Sequence, residues 1–239
     1  MRFQNNKKHR RYYIIEAFEA GNKEQINMWL NTEDIYLDEY LYQAAKHNYE
    51  DILDRVLAME GIEPKDINFA AYVAVKNNNR EIFNKLMSKY ADVINPHLIA
   101  LGAIKKDRKD ILQAMLELGA DEYEIYASHA AKYNRLDILQ QMINKGAKNY
   151  IVMLVNAMDR ENEEIIEYLL NTIRADEIRE LTHGDMYLID FDPFFEGEDY
   201  PEEVNYGKVA LLAKQYGRED IYERMKTYGI HEYFEEEIY

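Results

Sequence analysis

The side chains of this chain that could do chemistry are six histidines and a set of regularly spaced lysines. No two histidines have the His-Glu-x-x-His spacing of a metal-binding helix, and the sequence contains no Gly-x-Ser-x-Gly nucleophile turn and no glycine-rich phosphate loop. Cysteine is absent, which excludes disulfides, cysteine-ligated zinc and a cysteine nucleophile. We therefore expect no catalytic residue, no metal site and no cofactor.

Lysine recurs at one position relative to an isoleucine that is itself repeated along the chain. The lysines that stand six residues before this isoleucine are Lys46, Lys76, Lys105 and Lys132. The residues that follow them at the adjacent position include His47, Lys106 and Tyr133. A line of ammonium groups predicts a basic stripe that binds an acidic partner, an anion or a nucleotide. Lysine in the last turn of a helix also complements the negative end of the helix dipole, so a capping role remains open.

Aromatic residues occupy a second recurring position. Tyr42 and Tyr72 stand ten residues before their isoleucines, and Phe69 stands thirteen before. These side chains could line a peptide-binding groove. The alternative, which we favour, is that neighbouring repeats cover them as part of the core.

The positions belong to a repeat in which a small residue pair, a polar turn, an acid and the isoleucine follow one another. The isoleucines are Ile26, Ile52, Ile82, Ile111, Ile138, Ile165 and Ile221. Their intervals are 26, 30, 29, 27, 27 and 56 residues, so one unit before the last is replaced or has lost the pattern. Apolar residues at helical spacing on either side of the turn predict two short helices per unit. The Asn or Asp four residues before the isoleucine suits a left-handed turn. We expect an all-α stack of helical hairpins.

Two stretches carry a family resemblance. Residues 115–121 read Met-Leu-Glu-Leu-Gly-Ala-Asp, and residues 142–147 read Met-Ile-Asn-Lys-Gly-Ala. Both resemble the second half of an ankyrin repeat, and the resemblance extends over residues 12–170 and 204–230. The Thr-Pro-Leu-His opening is missing, and the period is shorter than the usual 33 residues, which indicates trimmed β-turn fingers. The resemblance implies a solenoid that binds another protein without catalysis.

An irregular insert interrupts the repeats. Residues 185–203 hold eight acidic and five aromatic residues, and no Lys or Arg occurs between Glu180 and Gly207. This mixture suits docking onto a basic, partly apolar surface. The candidate docking residues are Phe191, Asp192, Phe194, Phe195 and Glu198. A loop that folds its aromatics over the end of the repeats is the alternative.

We divide the chain into a basic N-terminal segment (1–11), an ankyrin-like array (12–183), the acidic-aromatic insert (184–203) and a C-terminal repeat with an acidic tail (204–239). The formal charge is −16, and residues 171–239 hold 18 Asp/Glu against 7 Lys/Arg. Such a field disfavours nucleic acid as a partner and favours a protein with a basic surface. No apolar stretch reaches the length of a membrane span, so we expect no membrane partner.

The expected function is therefore a non-catalytic protein-protein interaction module. The alternatives are an acidic inhibitor that sequesters a basic protein surface, and a binder of anions or nucleotides on the lysines. Because cysteine is absent and no secretory signal is visible, we expect an intracellular, cytoplasmic location. Abundant Tyr and Asn indicate an AT-rich genome, and the resemblance would then imply a viral or bacterial factor that acts on a host protein in the host cytoplasm.

Overall fold

The computed structural model describes residues 7–32, 36–179 and 206–228. Within these ranges the chain forms 14 α-helices and one 3-10 helix, without a strand. The all-helical prediction is thereby confirmed. The chain divides into unit 1, Met1–Lys106 with Asp110–Gly119, and unit 2, Asp107–Lys109 with Ala120–Tyr239. The division falls inside the array predicted over residues 12–183.

Unit 1 contains eight helices in the described residues. They are α1 (Lys7–Glu19), α2 (Lys23–Leu30), α3 (Leu37–His47), α4 (Glu50–Leu57), α5 (Pro64–Lys76), α6 (Arg80–Tyr90), α7 (Pro96–Lys105) and α8 (Lys109–Glu117), the last reaching back one residue into unit 2. The odd-numbered helices, called inner helices here, pack side by side in the order α1, α3, α5, α7. The even-numbered outer helices α2, α4 and α6 each pack on the inner helix before them. Because α1 begins at Lys7, the segment predicted over residues 1–11 is helical in its second half.

Unit 2 repeats this arrangement. Its helices in the described residues are α9 (Tyr123–Lys132), α10 (Leu136–Asn144), α11 (Tyr150–Asp159), α12 (Glu163–Thr172), the 3-10 helix Ala175–Glu177, α13 (Tyr206–Gln215) and α14 (Glu219–Lys226). The inner helices α9, α11 and α13 contact one another in this order, and each packs on its outer helix. The predicted insert, 184–203, lies outside the described residues.

A left-handed residue, called the turn residue here, links the two helices of each repeat. The turn residues are Gly21, Asn48, Asn78, Asp107, Asn134, Glu161 and Gly217, with φ between 54° and 72°. In six repeats the next N–H donates to an alanine carbonyl five residues earlier, for example Tyr49 N to Ala44 O at 3.0 Å. This is the Schellman motif, in which a left-handed residue lets the backbone satisfy the last carbonyls of a helix. The predicted polar turn is confirmed.

The first repeat is displaced by one residue from the predicted register. Its turn residue, Gly21, stands five residues before Ile26, whereas the other turn residues stand four before their isoleucines. Ile26 is therefore the equivalent of Leu53, and both are buried. All seven repeated isoleucines are buried, because this side of each outer helix packs against the inner helices.

One turn residue is poorly suited to its backbone. Glu161 is exposed and has φ 54°, a conformation that costs an ordinary L-residue about 1–2 kcal/mol. We expect Glu161→Gly to raise the free energy of unfolding by about 1 kcal/mol, because glycine adopts this conformation without the Cβ clash. Urea unfolding followed by circular dichroism measures the change. An unchanged or lower unfolding midpoint would contradict the prediction.

Side chains also join each repeat to its neighbour. Asn79, directly after its turn residue, donates from Nδ2 to Ala45 O at 2.6 Å and Lys46 O at 3.0 Å. Asn162 holds the same position and donates to Ala131 O at 2.7 Å and Lys132 O at 3.3 Å. We call this contact the asparagine clamp. It satisfies the final carbonyls of one inner helix from the next repeat and so sets the spacing between repeats.

Ion pairs on the outer helices repeat with the same register. A cation two residues after one turn residue pairs with an acid three residues after the next turn residue. The pairs are Lys23 with Asp51, Arg80 with Asp110, and Lys109 with Asp137. Each pair is solvent-exposed and contributes less than about 1 kcal/mol to the free energy of unfolding. Its main effect is to align the outer helices of neighbouring repeats.

Candidate partner-binding surface

Three of the predicted lysines lie along one edge of unit 1. Lys46, Lys76 and Lys105 stand in the last turns of α3, α5 and α7, which are neighbours, and each is half-buried. Lys46 Nζ lies 3.9 Å from Glu19 Oε1, and Lys76 Nζ lies 6.0 Å above the Tyr72 ring. These three lysines therefore end neighbouring inner helices of unit 1, and the Glu19 carboxylate lies beside the Lys46 ammonium group.

At the ends of α3 and α9, where Lys46 and Lys132 stand, an asparagine of the next repeat also caps the helix. The final carbonyls of α3 accept hydrogen bonds from the Asn79 clamp, and those of α9 accept them from Asn162. The lysine ammonium groups are thus not needed to satisfy these carbonyls, although their favourable interaction with the helix dipole remains.

Two aromatic residues form a stack across neighbouring repeats. The rings of Tyr42 on α3 and Phe69 on α5 have centroids 5.2 Å apart and an interplanar angle of 18°. Both side chains are half-buried. Tyr42 precedes Lys46 by four residues and Phe69 precedes Lys76 by seven, so each aromatic lies on the same helix face as a lysine of the row. We call this set, Tyr42, Lys46, Phe69, Lys76 and Lys105, the inner-helix surface of unit 1.

Tyr72 does not belong to this surface. It holds the position equivalent to Tyr42 but is only 3% exposed. The reason is Gly102 in the next inner helix. Because Gly102 has no side chain, the Tyr72 ring approaches its backbone closely, and a Cβ atom added there would lie 3.0 Å from the ring. In the sequence, a glycine inside a predicted helix is the feature that indicates such a close approach by a neighbouring element. Tyr72 is corrected from a partner-binding residue to a core residue.

We expect Gly102→Val to lower the free energy of unfolding by about 1–3 kcal/mol, because the added side chain must displace the buried Tyr72 ring. A double-mutant cycle checks the mechanism. The loss caused by valine should shrink in a Tyr72→Ala background, where the ring is gone. Equal losses in both backgrounds would show that Tyr72 is not what the valine meets.

His47 lies beside the row in an aromatic environment. Its ring lies 6.2 Å from the Phe18 centroid and 6.4 Å from that of Tyr49. Its Nε2 atom is buried and has no hydrogen-bond partner. Burial lowers the pKa of His47, and the Lys46 ammonium lowers it further, while Glu19 acts in the opposite direction. The neutral imidazole is therefore the form that unit 1 accommodates.

This environment predicts a pH dependence. The folded pKa of His47 lies below the unfolded value of 6.5, so the unfolded chain takes up the proton first as pH falls. The folded state should lose stability below about pH 6.5 through this group, and the loss should stop once pH passes the folded pKa. We expect His47→Phe to flatten the dependence of the urea midpoint on pH between about 7.5 and 5. An identical pH profile in the variant would contradict this.

The remaining predicted residues have different surroundings. Lys106 is exposed at the C-cap of α7. In unit 2, Lys132 is only 7% exposed, and Tyr133 is half-buried with its ring 5.9 Å from that of His129. Lys132 is thus a buried side chain and not part of an exposed row. Five predicted docking residues lie outside the described part of the chain: Phe191, Asp192, Phe194, Phe195 and Glu198.

The described ranges contain no group of three or more His, Cys, Asp or Glu side chains placed to hold a metal ion. Nor does any helix in them have the length and apolar character required to cross a membrane. Sequence reasoning did not single out two residues that shape the surface, Gly102 and Asn79. Comparison with family models, curated proteins and solved structures finds no match to this chain.

Proposed function

We propose that this chain is a non-catalytic protein-binding module whose repeats are ankyrin-like and that the inner-helix surface of unit 1 binds the partner. The observation that carries the proposal is the half-exposed Tyr42–Phe69 stack, whose two residues belong to the helices that carry Lys46 and Lys76 in their last turns. Aromatic side chains beside cations are typical of protein interfaces, where they bury large areas with little loss of side-chain entropy. The resemblance to ankyrin repeats supports the same conclusion.

The rigidity of this surface supports binding rather than a role in packing alone. The Schellman turns and the Asn79 clamp hold α3 and α5 at a fixed spacing before any partner arrives. A surface that is already ordered loses little conformational entropy on binding. The row of lysines further favours a peptide that carries both an acidic and an apolar group.

Selection from a library of displayed random peptides against the purified protein tests the proposal. We expect enriched peptides that combine Asp or Glu with an apolar residue. Their binding should weaken at least tenfold in Tyr42→Ala and in Lys76→Glu. The matched controls, Tyr90→Ala and Lys89→Glu on the outer helix α6, should bind as the parent does. Failure to enrich any peptide, or equal binding by all four variants, would overturn the proposal.

The charge of the chain favours a second candidate, the sequestering of a basic protein surface. Residues 171–239 hold 18 Asp/Glu and 7 Lys/Arg. Binding of this kind should weaken steeply between low and physiological salt, since exposed charges are screened over about 8–10 Å. Affinity for a basic protein such as a histone, measured at two salt concentrations, separates this candidate from peptide binding by unit 1.

A further inference from the structure

The joint between the first two repeats differs from those that the asparagine clamp holds. A clamp residue follows its turn residue directly, as Asn79 and Asn162 do. Tyr49 stands at that place in the second repeat, and its phenol has one hydrogen to donate where the Asn79 amide donates to two carbonyls. The Tyr49 ring packs on Phe18 of α1, with centroids 5.6 Å apart. Aromatic contacts therefore take the place of the clamp where the first repeat meets the second.

This aromatic joint encloses His47. Phe18 of α1 lies against two rings of α3, with its centroid 5.8 Å from that of Tyr40 and 6.2 Å from that of His47. Phe18 and Tyr40 are each 1% exposed, so the cluster is part of the core. The Nε2 atom of the imidazole is buried without a hydrogen-bond partner. A titratable group thus lies at the surface on which α1 packs against α3.

Buried polar atoms without a hydrogen-bond partner are concentrated in the first two repeats. Within the described residues these side-chain atoms are Trp29 Nε1, Gln43 Oε1 and His47 Nε2. Each such atom lowers the stability of the packing around it. Among the described inner helices, α1 packs on one neighbour, α3, whereas α3 and α5 each pack between two. We therefore expect the first repeat to open more readily than α5.

The charges around His47 oppose its protonation while the joint is closed. The charged and titratable groups on the elements packed around it are Lys46 on α3, Glu19 on α1, Lys23 on α2, and Tyr49 and Asp51 in the second repeat. Both carboxylates already face a lysine, at 3.9 Å for Glu19 and 3.4 Å for Asp51. Burial lowers the pKa of His47 first, and the Lys46 ammonium lowers it further. An imidazolium would gain water and lose these rings if α1 moved away.

We propose that the joint between the first two repeats is an acid-sensitive switch, in which protonation of His47 releases α1 and α2 from α3 while the later helices of unit 1 stay folded. A repeat that contacts only its neighbours can open without the remainder of the stack. Release hydrates the imidazolium and uncovers the Phe18 and Tyr40 rings. The proposal does not depend on peptide binding by the inner-helix surface.

Native-state hydrogen exchange of the full chain, measured by peptide mass spectrometry and corrected for intrinsic rates, tests the switch. At about pH 7.5 we expect α1 and α2 to be about tenfold less protected than α5, or still less, since they open without it. Their protection should fall about threefold or more at about pH 5, where the open form takes up the proton. Equal protection of α1 and α5 would overturn the proposal, because the first repeat would then open only with the rest of unit 1.

Substitution of the histidine identifies the group that titrates. His47→Phe keeps an aromatic ring in the joint and takes up no proton, so the fall in protection of α1 and α2 should disappear. His97→Phe is the matched control, because His97 is also half-buried in unit 1 but lies on α7, and the fall should remain there. An undiminished fall in His47→Phe would overturn the proposal.

Two charge variants separate protonation from the strength of the joint. Lys46→Gln and Glu19→Gln remove the same ion pair, so they should weaken the joint similarly at about pH 7.5. Their pH dependence should change in opposite directions. Lys46→Gln removes the ammonium group that disfavours the imidazolium and should reduce the fall in protection, whereas Glu19→Gln removes the carboxylate that favours it and should enlarge the fall. Equal falls in the two variants would refute the role of His47.

Discussion

Replacing Ile138 by alanine is expected to lower the free energy of unfolding by about 2–5 kcal/mol. Ile138 is 1% exposed on α10 and lies four residues after its turn residue, the position at which six of the seven described repeats bury an isoleucine. Its truncation removes apolar contact and leaves a cavity that neighbouring helices cannot close, because the turn residues fix them. Urea unfolding followed by far-ultraviolet circular dichroism measures the loss.

Ile143 on the same helix provides the matched control. It is half-buried, and the same truncation there should change the free energy of unfolding by much less, about 1 kcal/mol or below. Losses of equal size at Ile138 and Ile143 would mean that the repeated isoleucine is not the position that anchors the hairpin. The comparison thus tests the repeat and not simply the presence of a core.

Replacing Asn79 by aspartate is expected to lower the free energy of unfolding by about 2–4 kcal/mol, and by more than replacing it by alanine. Asn79 Nδ2 donates to two carbonyls of α3, at 2.6 Å and 3.0 Å. Alanine loses both hydrogen bonds, about 1–3 kcal/mol together. Aspartate also loses them and in addition turns a carboxylate toward two carbonyl oxygens.

This order separates the clamp from ordinary helix capping. Asn79 stands at the N-cap of α6, and aspartate caps a helix as well as asparagine does. A capping residue would therefore tolerate aspartate and lose stability with alanine, the opposite of the order expected here. Asn84, exposed on the same helix, is the control: both substitutions there should stay within about 0.5 kcal/mol.

Much of the helical framework could be predicted because it is encoded locally. A small pair, a polar residue that tolerates positive φ and an isoleucine recur within a few residues of one another, so the helix ends and the buried side of each outer helix follow from short-range chemistry. The lysine row follows equally from spacing, since equivalent positions of stacked repeats align. The first repeat differs by one residue from the predicted register. Ile26 matches the repeated isoleucine in the sequence, but the turn residue is Gly21, so Ile26 is equivalent to Leu53.

Which side chains remain exposed was decided by contacts between repeats. Tyr42 and Tyr72 hold the same position in their repeats, and from sequence both were predicted as partner-binding residues. Tyr42 meets the ring of Phe69 and stays half-exposed, whereas Tyr72 meets Gly102 and is buried. Likewise, Asn79 stands at the N-cap of α6, and its side chain bonds to the carbonyls of α3 only because α3 lies beside it. Local sequence patterns determine the helices and turns. Whether a side chain is exposed depends on which residue of the next repeat it meets, and only the tertiary structure brings these two residues together.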